Sequence, residues 1–556
     1  MDFDSPYLTK QIIAYIGNKR KLLSLIYKAL EESGIDFSKQ LKFADLFSGS
    51  AVVSRFAKFL GFEVHCNDWE PYAKIIAEGC VKADKKSLKN FFNTDEEFLS
   101  FLNKMNSLPC PQDKDCYIAK YYAPKSDDIL EADYKTERLF YTRQNALAID
   151  KIRNHIEKEF PETSPKNEVL RNVLIANLLY EAATHTNTSG VFKAFHKEFG
   201  GHGKDALKRI LSPIKLNLPE LIDGKAPVFV YNEDANCLVK KLPKMDVVYL
   251  DPPYNQHQYG SNYHILNTIA CWDKIPEPLE LNEKGVLKNK AGIRSDWIKT
   301  RSKYCYKDTA VAAFSELIKN INADLILISY SSDGIIPFEQ MKKIALERGY
   351  VSIVTSTYTT YRGGKQSNSR VNADIEFILV IDTQRKALKE CEEKIDRIIL
   401  EKKVLMLLKR RFYRHRLERE FDSFTDEKAI LKLGNKKIEF PCKDKFTLGI
   451  PENFYSFNSD KLFKILTVLE KTICTTKKEE LEQLLLLCTE KNGNEKKYIR
   501  LVPATLKKLA QKKYKQIFYE ELKNIKNALE SRPDLYSFIE PKILEIKTIA
   551  EIRFNT

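Results

Sequence analysis

One stretch, residues 246–259 (DVVYLDPPYNQHQY), limits the folds open to this chain more than any other. Residues 247–250 are mostly apolar and predict a short buried strand, but Pro252 and Pro253 lack the N–H donors that a strand needs. The chain must therefore turn just past Asp251. Because ligands bind beyond the carboxyl ends of the strands in open α/β sheets, Asp251 and Tyr254 are predicted to lie at a functional site.

The Asp-Pro-Pro-Tyr tetrad suits the methylation of an exocyclic amine. The lone pair of an aromatic amine is delocalised into the ring, so two acceptors must hold its two hydrogens and turn the lone pair outward. The Asp251 carboxylate and the Pro252 carbonyl can be those acceptors, and stacking of a base on Tyr254 would contribute about 1–3 kcal/mol. The alternative is structural: a strand that ends in a proline turn with an N-capping aspartate.

Residues 41–73 read as the first βαβ unit of a nucleotide-binding sheet. The pattern predicts a strand at 41–46, a glycine turn at 47–50, a helix at 51–60 and a strand at 63–67. Gly49 lets the backbone approach a ligand, and Asp68 follows the second strand, where an acid can bind both ribose hydroxyls. Because Ser48 and Ser50 stand where a dinucleotide motif has glycines, an adenosine ligand without phosphates fits better than a dinucleotide. A second glycine turn, at Gly17, precedes a basic helix.

The segments that follow predict helices and then more strands. Residues 74–225 look largely helical and form a predicted subdomain, in which the basic, glycine-bearing stretch 184–209 could contact phosphates or bases. Strands are predicted just before Asp234, at 247–250 and at 323–332, followed by a helix at 338–346 and a closing antiparallel pair. The loop at 361–370 within that pair is either a phosphate contact or an exposed hairpin loop.

The charge of the chain indicates a polyanionic partner. The net charge is +15 with a pI near 9.0, and residues 386–556 hold 38 Lys and Arg against 27 Asp and Glu. A long charged helix is predicted from Arg385 to about Phe421, and its RRFYRHRLER stretch mixes arginines with aromatic residues as nucleic-acid binders do. We expect nucleic acid to be the partner. The alternative for any single cluster is a lysine-rich surface that aids solubility.

Cysteine spacing and the amino terminus predict a soluble intracellular protein without a metal site. The eleven cysteines include no CxxC pair, so no zinc ribbon or thioredoxin-like site is expected, and free thiols in a reducing cytoplasm are favoured. The start MDFDSPYLTK lacks the features of a secretory signal, and no apolar run reaches the length of a membrane span.

Over residues 8–382, the chain resembles the Dam-like class of adenine-N6 DNA methyltransferases found in bacterial restriction–modification systems. YIGNKRKLL at residues 15–23 looks like the family's amino-terminal cofactor motif, FADLFSGS at 43–50 like its glycine turn, and DPPYNQHQY at 251–259 like its catalytic motif. Ser50 departs from the family's more usual Gly-x-Gly. The resemblance implies a Rossmann-like α/β sheet (residues 1–80 and 226–385) and a helical target-recognition insertion (81–225). Residues 386–556 are not part of the minimal family, and their pattern predicts a basic, mainly helical carboxy-terminal domain that binds DNA or a partner.

The same resemblance implies S-adenosyl-L-methionine as cofactor, bound by Tyr15, Gly17, Lys19, Asp45, Phe47, Gly49, Asp68 and Asp234. It implies Asp251, Pro252, Pro253 and Tyr254 as catalytic residues acting on an adenine flipped out of double-stranded DNA. The expected DNA contacts are Asn255, His257, Tyr259, Lys193, His196, Arg362, Lys365 and Arg370.

The implied setting is a cytoplasmic, nucleoid-associated bacterial monomer with a cognate restriction endonuclease. Three alternatives remain open: cytosine-N4 methylation, RNA methylation, and a DNA-binding module that has lost catalysis.

Overall fold

A computed structural model describes residues 1–201, 204–355, 375–444, 446–490 and 493–555. Contacts divide the chain into two compact units. The first comprises the described residues of Met1–Thr357 and Glu376–Leu388, and the second comprises the described residues of Tyr358–Ile375 and Lys389–Thr556. Among the described residues, the helices all lack the combination of length and apolar character that crossing a bilayer requires.

A seven-stranded sheet forms the centre of the first unit. Its strands are β1 (Lys42–Asp45), β2 (Glu63–Asn67), β3 (Val228–Tyr231), β4 (Met245–Leu250), β5 (Ala323–Ser331), β6 (Tyr350–Thr355) and β7 (Glu376–Asp382), in the spatial order β3-β2-β1-β4-β5-β7-β6. The pairs among β1 to β5 are parallel, whereas β7 runs antiparallel to both β5 and β6. The prediction of an α/β fold with a mostly parallel sheet and a closing antiparallel pair is confirmed.

The strand order reverses between β1 and β4, and this reversal positions the site. The chain leaves β1 toward β2 on one side and leaves β4 toward β5 on the other, so a crevice opens beyond the carboxyl ends of β1 and β4. The register aligns those ends: Asp45 lies opposite Cys66 on one side and Tyr249 on the other. Asp45, Asp68 and Asp251 therefore reach the same edge of the sheet.

Local sequence explains the main elements of this sheet. Residues 247–250 of β4 are fully or almost fully buried, as expected for a central parallel strand whose two faces are both covered. The strand ends at Leu250, directly before the predicted break at Asp251. The helix after β1 begins at Val52, once the glycine turn and Ala51, at φ 59°, have reversed the chain.

Helices cover the sheet and fill the interval between β2 and β3. The helices of the first unit are α1 (Pro6–Thr9), α2 (Leu23–Glu32), α3 (Val52–Phe59), α4 (Pro71–Ala77), α5 (Lys85–Leu88), α6 (Asp95–Asn106), α7 (Ile118–Tyr121), α8 (Arg143–Glu159), α9 (Glu168–Thr184), α10 (Leu207–Leu211), α11 (Ala235–Leu238), α12 (Tyr259–Asn262), α13 (His264–Cys271), α14 (Ala310–Asn320) and α15 (Phe338–Arg348). Helices α4 to α9 share a hydrophobic core with the sheet, whereas Ile210 of α10 packs in a separate small cluster with Leu139 and Phe199. The separate recognition domain at 81–225 remains a prediction.

The second unit combines helices with a small antiparallel sheet. Its helices are α16 (Lys389–Leu407), α17 (Arg414–Glu420), α18 (Ser459–Thr472), α19 (Lys477–Thr489), α20 (Glu495–Ile499), α21 (Leu501–Lys507), α22 (Lys515–Ala528) and α23 (Pro533–Asn555). Its strands are β8 (Ser423–Phe424), β9 (Lys428–Leu433), β10 (Lys436–Asp444) and β11 (Thr447–Leu448), in the order β11-β10-β9-β8.

Two features of this unit differ from the prediction. The single helix expected at 385–421 is wrong: the chain is extended at Phe412, whose N–H donates to Phe446 O at 2.8 Å, so α16 and α17 are separate. The sheet was not predicted, although Gly434 and Asn435 between two alternating segments are a two-residue hairpin signal.

Candidate active site

One cleft at the sheet edge brings most of the predicted site residues together. It lies at the carboxyl ends of β1, β2, β3 and β4, and its lining includes the predicted residues Tyr15, Gly17, Lys19, Asp45, Phe47, Gly49, Asp68, Asp234, Asp251, Pro253, Tyr254 and Tyr259. These residues come from three separate parts of the sequence, and the parallel strand register is what places them side by side.

Two glycines at the cleft allow aromatic rings to lie against the backbone. Gly17 has φ +79°, and a Cβ at this position would come within 2.7 Å of the Tyr254 hydroxyl oxygen. Gly49 has φ +49°, and a Cβ there would come within 2.7 Å of Tyr15 Cε1. Both positions therefore favour glycine for two reasons: the left-handed backbone and the close ring. The tyrosine of the catalytic motif thus packs directly on the amino-terminal glycine turn.

A cluster of tyrosines holds the amino-terminal segment in place. The Tyr15 ring stacks on Tyr263 with centroids 4.8 Å apart, and its hydroxyl accepts a hydrogen bond from Tyr72 at 2.9 Å. The Ile16 N–H donates to the Tyr263 hydroxyl at 2.8 Å. Since Tyr263 follows the catalytic motif in sequence, this cluster ties the two motifs into one structure.

Lys19 forms an ion pair with Asp251. Its Nζ lies 2.9 Å from Asp251 Oδ1 and 3.1 Å from Gly17 O, and the lysine side chain is only 5% exposed. Burial opposes the charge of Lys19, but the Asp251 carboxylate outweighs it and raises the lysine's pKa. Burial also raises the pKa of Asp251, against the opposing influence of Lys19. The ion pair with Lys19 therefore opposes the neutral form that burial favours for the Asp251 carboxyl group at the end of β4.

Asp45 is a second buried carboxyl group at this edge. Its Oδ2 accepts a hydrogen bond from the Ser54 hydroxyl at 2.7 Å, and the residue is 1% exposed. Burial raises its pKa to about 7, with a further contribution from the negative charge of Asp251. Asp45 thus sits close to its titration point at neutral pH, which distinguishes it from a surface aspartate.

Asp68 and Asp234 close the side of the cleft formed by β2 and β3. Asp68 accepts hydrogen bonds from the Gly49 N–H at 2.8 Å and the Glu70 N–H at 2.9 Å. The first of these bonds fixes the backbone of the glycine turn. Burial raises the pKa of Asp68. Asp234 caps α11 by accepting from the Cys237 N–H. Phe47 meets Tyr304 edge to face with centroids 5.3 Å apart.

The cleft residues fit a nucleoside-type cofactor. The Ser48 hydroxyl is buried at the cleft and has no hydrogen-bond partner among the described residues, so it is available to a ligand. Carboxylates at successive strand ends suit ribose hydroxyls and amino groups, and the rings of Tyr15 and Tyr254 suit a cation or an aromatic base. Among the described residues, no group of three or more His, Cys, Asp and Glu side chains is arranged to hold a metal.

Comparison with known proteins places the chain in a family. The model of the D12 class N6 adenine-specific DNA methyltransferases matches residues 15–343, which span the cleft and both glycine turns. This chain belongs to that family. Adenine-specific DNA methylation is therefore its activity, and family membership implies S-adenosylmethionine as the methyl donor in general.

Several curated methyltransferases are similar to this D12-class chain. The Type II methyltransferase M.NlaIII of Neisseria lactamica is 30% identical over 66% of this chain and 98% of its own length. M.CviAII of Paramecium bursaria Chlorella virus 1 is also 30% identical, over 66% of this chain and 97% of its own. M.FokI of Planomicrobium okeanokoites matches at 30% identity over 52% of its own length. In each case the match spans about two thirds of this chain.

The methyltransferase's predicted DNA contacts lie in separate places. Asn255 and His257 lie in the turn after the catalytic tetrad, where Asn255 Oδ1 accepts from the His257 N–H at 3.0 Å. Pro252, which was predicted as a catalytic residue, is buried beside Asp251 and is not among the residues that line the cleft. Lys193 and His196 are half-buried and do not line the cleft. Arg362, Lys365 and Arg370 lie outside the described residues, so their role stays a prediction.

Lys193 and His196 belong to a loop that Asn187 holds together. The fully buried Asn187 side chain donates to Leu139 O at 2.9 Å and to His196 O at 3.1 Å, and accepts from the Gly200 N–H at 3.1 Å. His264, on α13 after the catalytic motif, has its Nε2 3.0 Å from Phe192 O. Burial lowers the pKa of His264 to about 3, so it is neutral and Nε2 donates. The loop is thus attached to the catalytic segment.

Sequence analysis missed the residues that cover the cleft from the far side. Gln258 donates from Nε2 to Ser302 O at 3.1 Å, and its Oε1 accepts from the Ser302 N–H at 2.8 Å, so it joins the catalytic turn to residues 300–305. Tyr304 donates to Asn236 Oδ1 at 2.7 Å. Gln258 lies inside the catalytic motif and could have been considered, but nothing in the sequence around residue 302 signals the pairing.

Proposed function

We propose that this methyltransferase transfers the methyl group of S-adenosylmethionine to N6 of an adenine that is flipped out of double-stranded DNA at a specific site. The observation that carries the proposal is the meeting of two motifs in one cleft. Asp251 and Tyr254 of the catalytic motif line the same cleft as Asp68 and Asp234, the acids at the strand ends. The amine that accepts the methyl group and the nucleoside cofactor that donates it can therefore be brought together there.

The cofactor assignments follow from the chemistry of the cleft. Asp68 would bind the ribose hydroxyls, because a carboxylate that already accepts two backbone N–H groups still has lone pairs for two hydroxyls. Asp234 would accept from the adenine amino group, and the turn at Phe47 and Gly49 would lie along the cofactor. Asp45 would add a carboxyl group along the same side.

The methionine end of the cofactor would lie at the amino-terminal turn, against Tyr15 and Gly17. A positively charged sulfonium is favoured near the face of an aromatic ring, and Tyr15 offers one that is fixed by its stack on Tyr263. When bound, S-adenosylmethionine supplies an electrophilic methyl group. Lys19 belongs to this end as well, and its ion pair with Asp251 supports a second role at the catalytic carboxylate.

The target adenine would be held by the catalytic motif. Asp251 and the Pro252 carbonyl would accept the two amino hydrogens, so that the nitrogen lone pair points toward the methyl group, and Pro253 would keep the turn rigid. Tyr254 would stack on the base. Its ring is oriented by Gly17 on one side and meets Tyr330 edge to face with centroids 6.2 Å apart on the other. The rate gain would come mainly from positioning in a water-poor cleft.

We propose that the surrounding basic residues bind the DNA. Lys193 and His196 lie on the loop anchored by Asn187 and by His264, which follows the catalytic motif, so a contact with DNA there would be coupled to the catalytic turn. Asn255, His257 and Tyr259 would border the flipped base, and Arg362, Lys365 and Arg370 would contact phosphates. The helices at 81–225 would carry target recognition.

The biological setting is a further proposal. The similar proteins named above are Type II methyltransferases. By analogy, this chain would modify the target of a cognate restriction endonuclease in a bacterial cytoplasm, acting as a monomer. Residues 386–556, which lie outside the matched family model, would add DNA affinity or bind a partner.

Sequencing of modified bases tests the function directly. Unmethylated genomic DNA would be treated with the purified protein and S-adenosylmethionine, and the modified bases would be read together with their sequence context. N6-methyladenine confined to one short motif is the expected result. Modified cytosine would contradict the proposal. A protein that binds the cofactor but modifies no base in DNA would also contradict it, and would favour RNA methylation or a DNA-binding module without catalysis.

A further inference from the structure

We infer that the second unit contains a phosphate-binding site in an open basic cleft. The basic cleft is lined by Lys409, Arg410, Arg411, Lys477 and Lys508, together with one acid, Glu480. It lies entirely within Lys389–Thr556 and outside the matched family model, so it is distinct from the methylation site. Five cations around one concavity are costly for a folded chain to assemble unless they meet an anion.

The fold brings these cations together from three segments. The chain leaves α16 at Leu407 and becomes extended, where the Phe412 N–H donates to Phe446 O at 2.8 Å and the Cys474 N–H donates to Arg411 O at 2.9 Å. These bonds set residues 409–411 beside the start of α19, where Lys477 is the first helical residue. Lys508 follows α21 and completes the cleft.

The cleft lining holds five cations and one acid, so its formal charge is positive. Lys477 is paired with Glu480, and Arg411 Nη1 lies 3.8 Å from Asp444 Oδ1, which is an ion pair without a hydrogen bond. Arg411 Nη1 is buried and lacks a hydrogen-bond acceptor among the described residues. A buried guanidinium donor without an acceptor is destabilising, and a bound anion would remove that cost.

Arginines farther along the same stretch are each paired with a glutamate and lie outside the cleft lining. Arg414 is paired with Glu418 at 2.8 Å, Arg416 with Glu479 at 2.5 Å, and Arg419 with Glu420 at 2.9 Å. Their charges are therefore offset on the protein itself. In RRFYRHRLER only the first two arginines line the basic cleft. Of the stretch that the sequence predicted to bind nucleic acid, these two arginines are therefore the ones placed to contact a phosphate in the cleft.

Phosphate is the anion that these groups favour. Arginine presents a planar set of donors that matches phosphate oxygens, and lysines add positive charge around it. The phosphate could belong to the DNA backbone or to a free phosphate. The DNA source rests on the proposed function, whereas the site itself does not.

The salt dependence of DNA binding by the full-length protein distinguishes these sources. The test variant carries Lys409→Gln, Arg410→Gln and Lys508→Gln. The control variant carries Lys432→Gln, Lys436→Gln and Lys437→Gln, three exposed lysines around the β9–β10 hairpin turn. The control lysines lie on or beside the first residues of β10, and Asp444 is the last residue of that strand, about 25 Å away. Both variants lose the same charge, so a nonspecific charge effect would be equal in the two.

The DNA would be a duplex that lacks the methylation target. The logarithm of the DNA-binding constant falls as the logarithm of the salt concentration rises, and we expect this slope to be smaller in magnitude by about 2 to 3 in the test variant, because each lost phosphate contact contributes about 0.9. The control variant should keep a slope close to wild type. This result assigns the cleft to DNA, and it does not depend on methylation. If methylation failed while the slope still changed, the cleft would stand and the proposed function would fall.

Calorimetric titration with inorganic phosphate gives the second arm. The cleft would be assigned to a free phosphate if wild type and the control variant bind phosphate and the test variant does not, while the salt dependence of DNA binding is the same in all three. Equal slopes in the two variants, together with no loss of phosphate binding in the test variant, would overturn the inference. Circular dichroism of each variant would check that the second unit remains folded.

Discussion

The ammonium of Lys19 lies 2.9 Å from the Asp251 carboxylate, and both side chains are largely buried. The pair joins the first motif of the sequence to the catalytic one. Since a buried carboxylate is favoured in its neutral form unless a charge opposes it, Lys19 keeps Asp251 ready to accept an amino hydrogen. The relationship makes Lys19 a positioning residue for Asp251 as well as a candidate cofactor residue.

Replacing Lys19 should shift the pH dependence of methylation. In Lys19→Met the pKa of Asp251 should rise further, because burial would no longer be opposed by the adjacent ammonium. Activity should then be lost at lower pH and recover as the pH increases, with a loss on the order of tenfold for each unit by which the pKa exceeds the assay pH. The measurement is kcat against pH under saturating cofactor.

Lys21→Met is the matched control for that experiment. Lys21 is exposed on the same 3₁₀ turn, Lys19–Leu22, and should leave the profile unchanged. A uniform loss of activity at every pH in Lys19→Met would mean that Lys19 acts on the cofactor alone and not through the charge of Asp251.

Removing the Asp251 carboxylate should abolish methylation while DNA binding is largely kept. Asp251→Ala removes one of the two proposed acceptors, and a loss on the order of 10²-fold or more in kcat is expected for one preorganised hydrogen-bonding group. Base capture is one part of DNA affinity, so Kd should change little. Kd from fluorescence anisotropy and kcat from methyl transfer would be compared. An equal collapse of both quantities would show that Asp251 is structural.

Gly17→Ala should disturb Tyr254 specifically. The new Cβ would come within 2.7 Å of the Tyr254 hydroxyl, and the left-handed φ of +79° adds backbone strain. Gly34→Ala separates these effects, because Gly34 has φ +75° but nothing within 4 Å of the added Cβ. Both variants should lose roughly 1 kcal/mol of stability from the backbone, but only Gly17→Ala should lose methylation. Comparable activity of the two stable variants would contradict the packing argument.

Asp45 should make the stability of the protein fall as the pH rises. Its pKa is raised from 3.8 to about 7 in the folded state, so its contribution is fully present below the unfolded pKa and is lost as the pH increases through about 7. Asp45→Asn should flatten the decrease in Tm between pH 5 and pH 8. Asp36→Asn is the control: the pKa of Asp36 is lowered, so this exposed residue should not titrate in that window. Parallel Tm profiles for wild type and Asp45→Asn would refute the assignment.

Local patterns in the sequence determined much of the first unit. The apolar run before Asp251, the two prolines and the glycine turn at Gly49 each act through their immediate neighbours, so the strand ends and the βαβ unit could be predicted. The hairpin at Gly434 and Asn435 carried a comparable local signal that was overlooked. The break before α17 carried none, because it depends on hydrogen bonds to Phe446 and Thr472, which are distant in sequence.

The cleft residues could be predicted from their resemblance to family motifs, but only the tertiary structure decided which of them contact each other. Lys19 with Asp251, Gly49 with Tyr15 and Gln258 with Ser302 are contacts between segments far apart in sequence, and composition cannot specify such partners. The same holds for charge: the sequence by itself determined an excess of lysine and arginine, whereas the fold decided which of these cations converge on the basic cleft. Electrostatic interactions depend on separation in space and on burial, and both are set by tertiary packing.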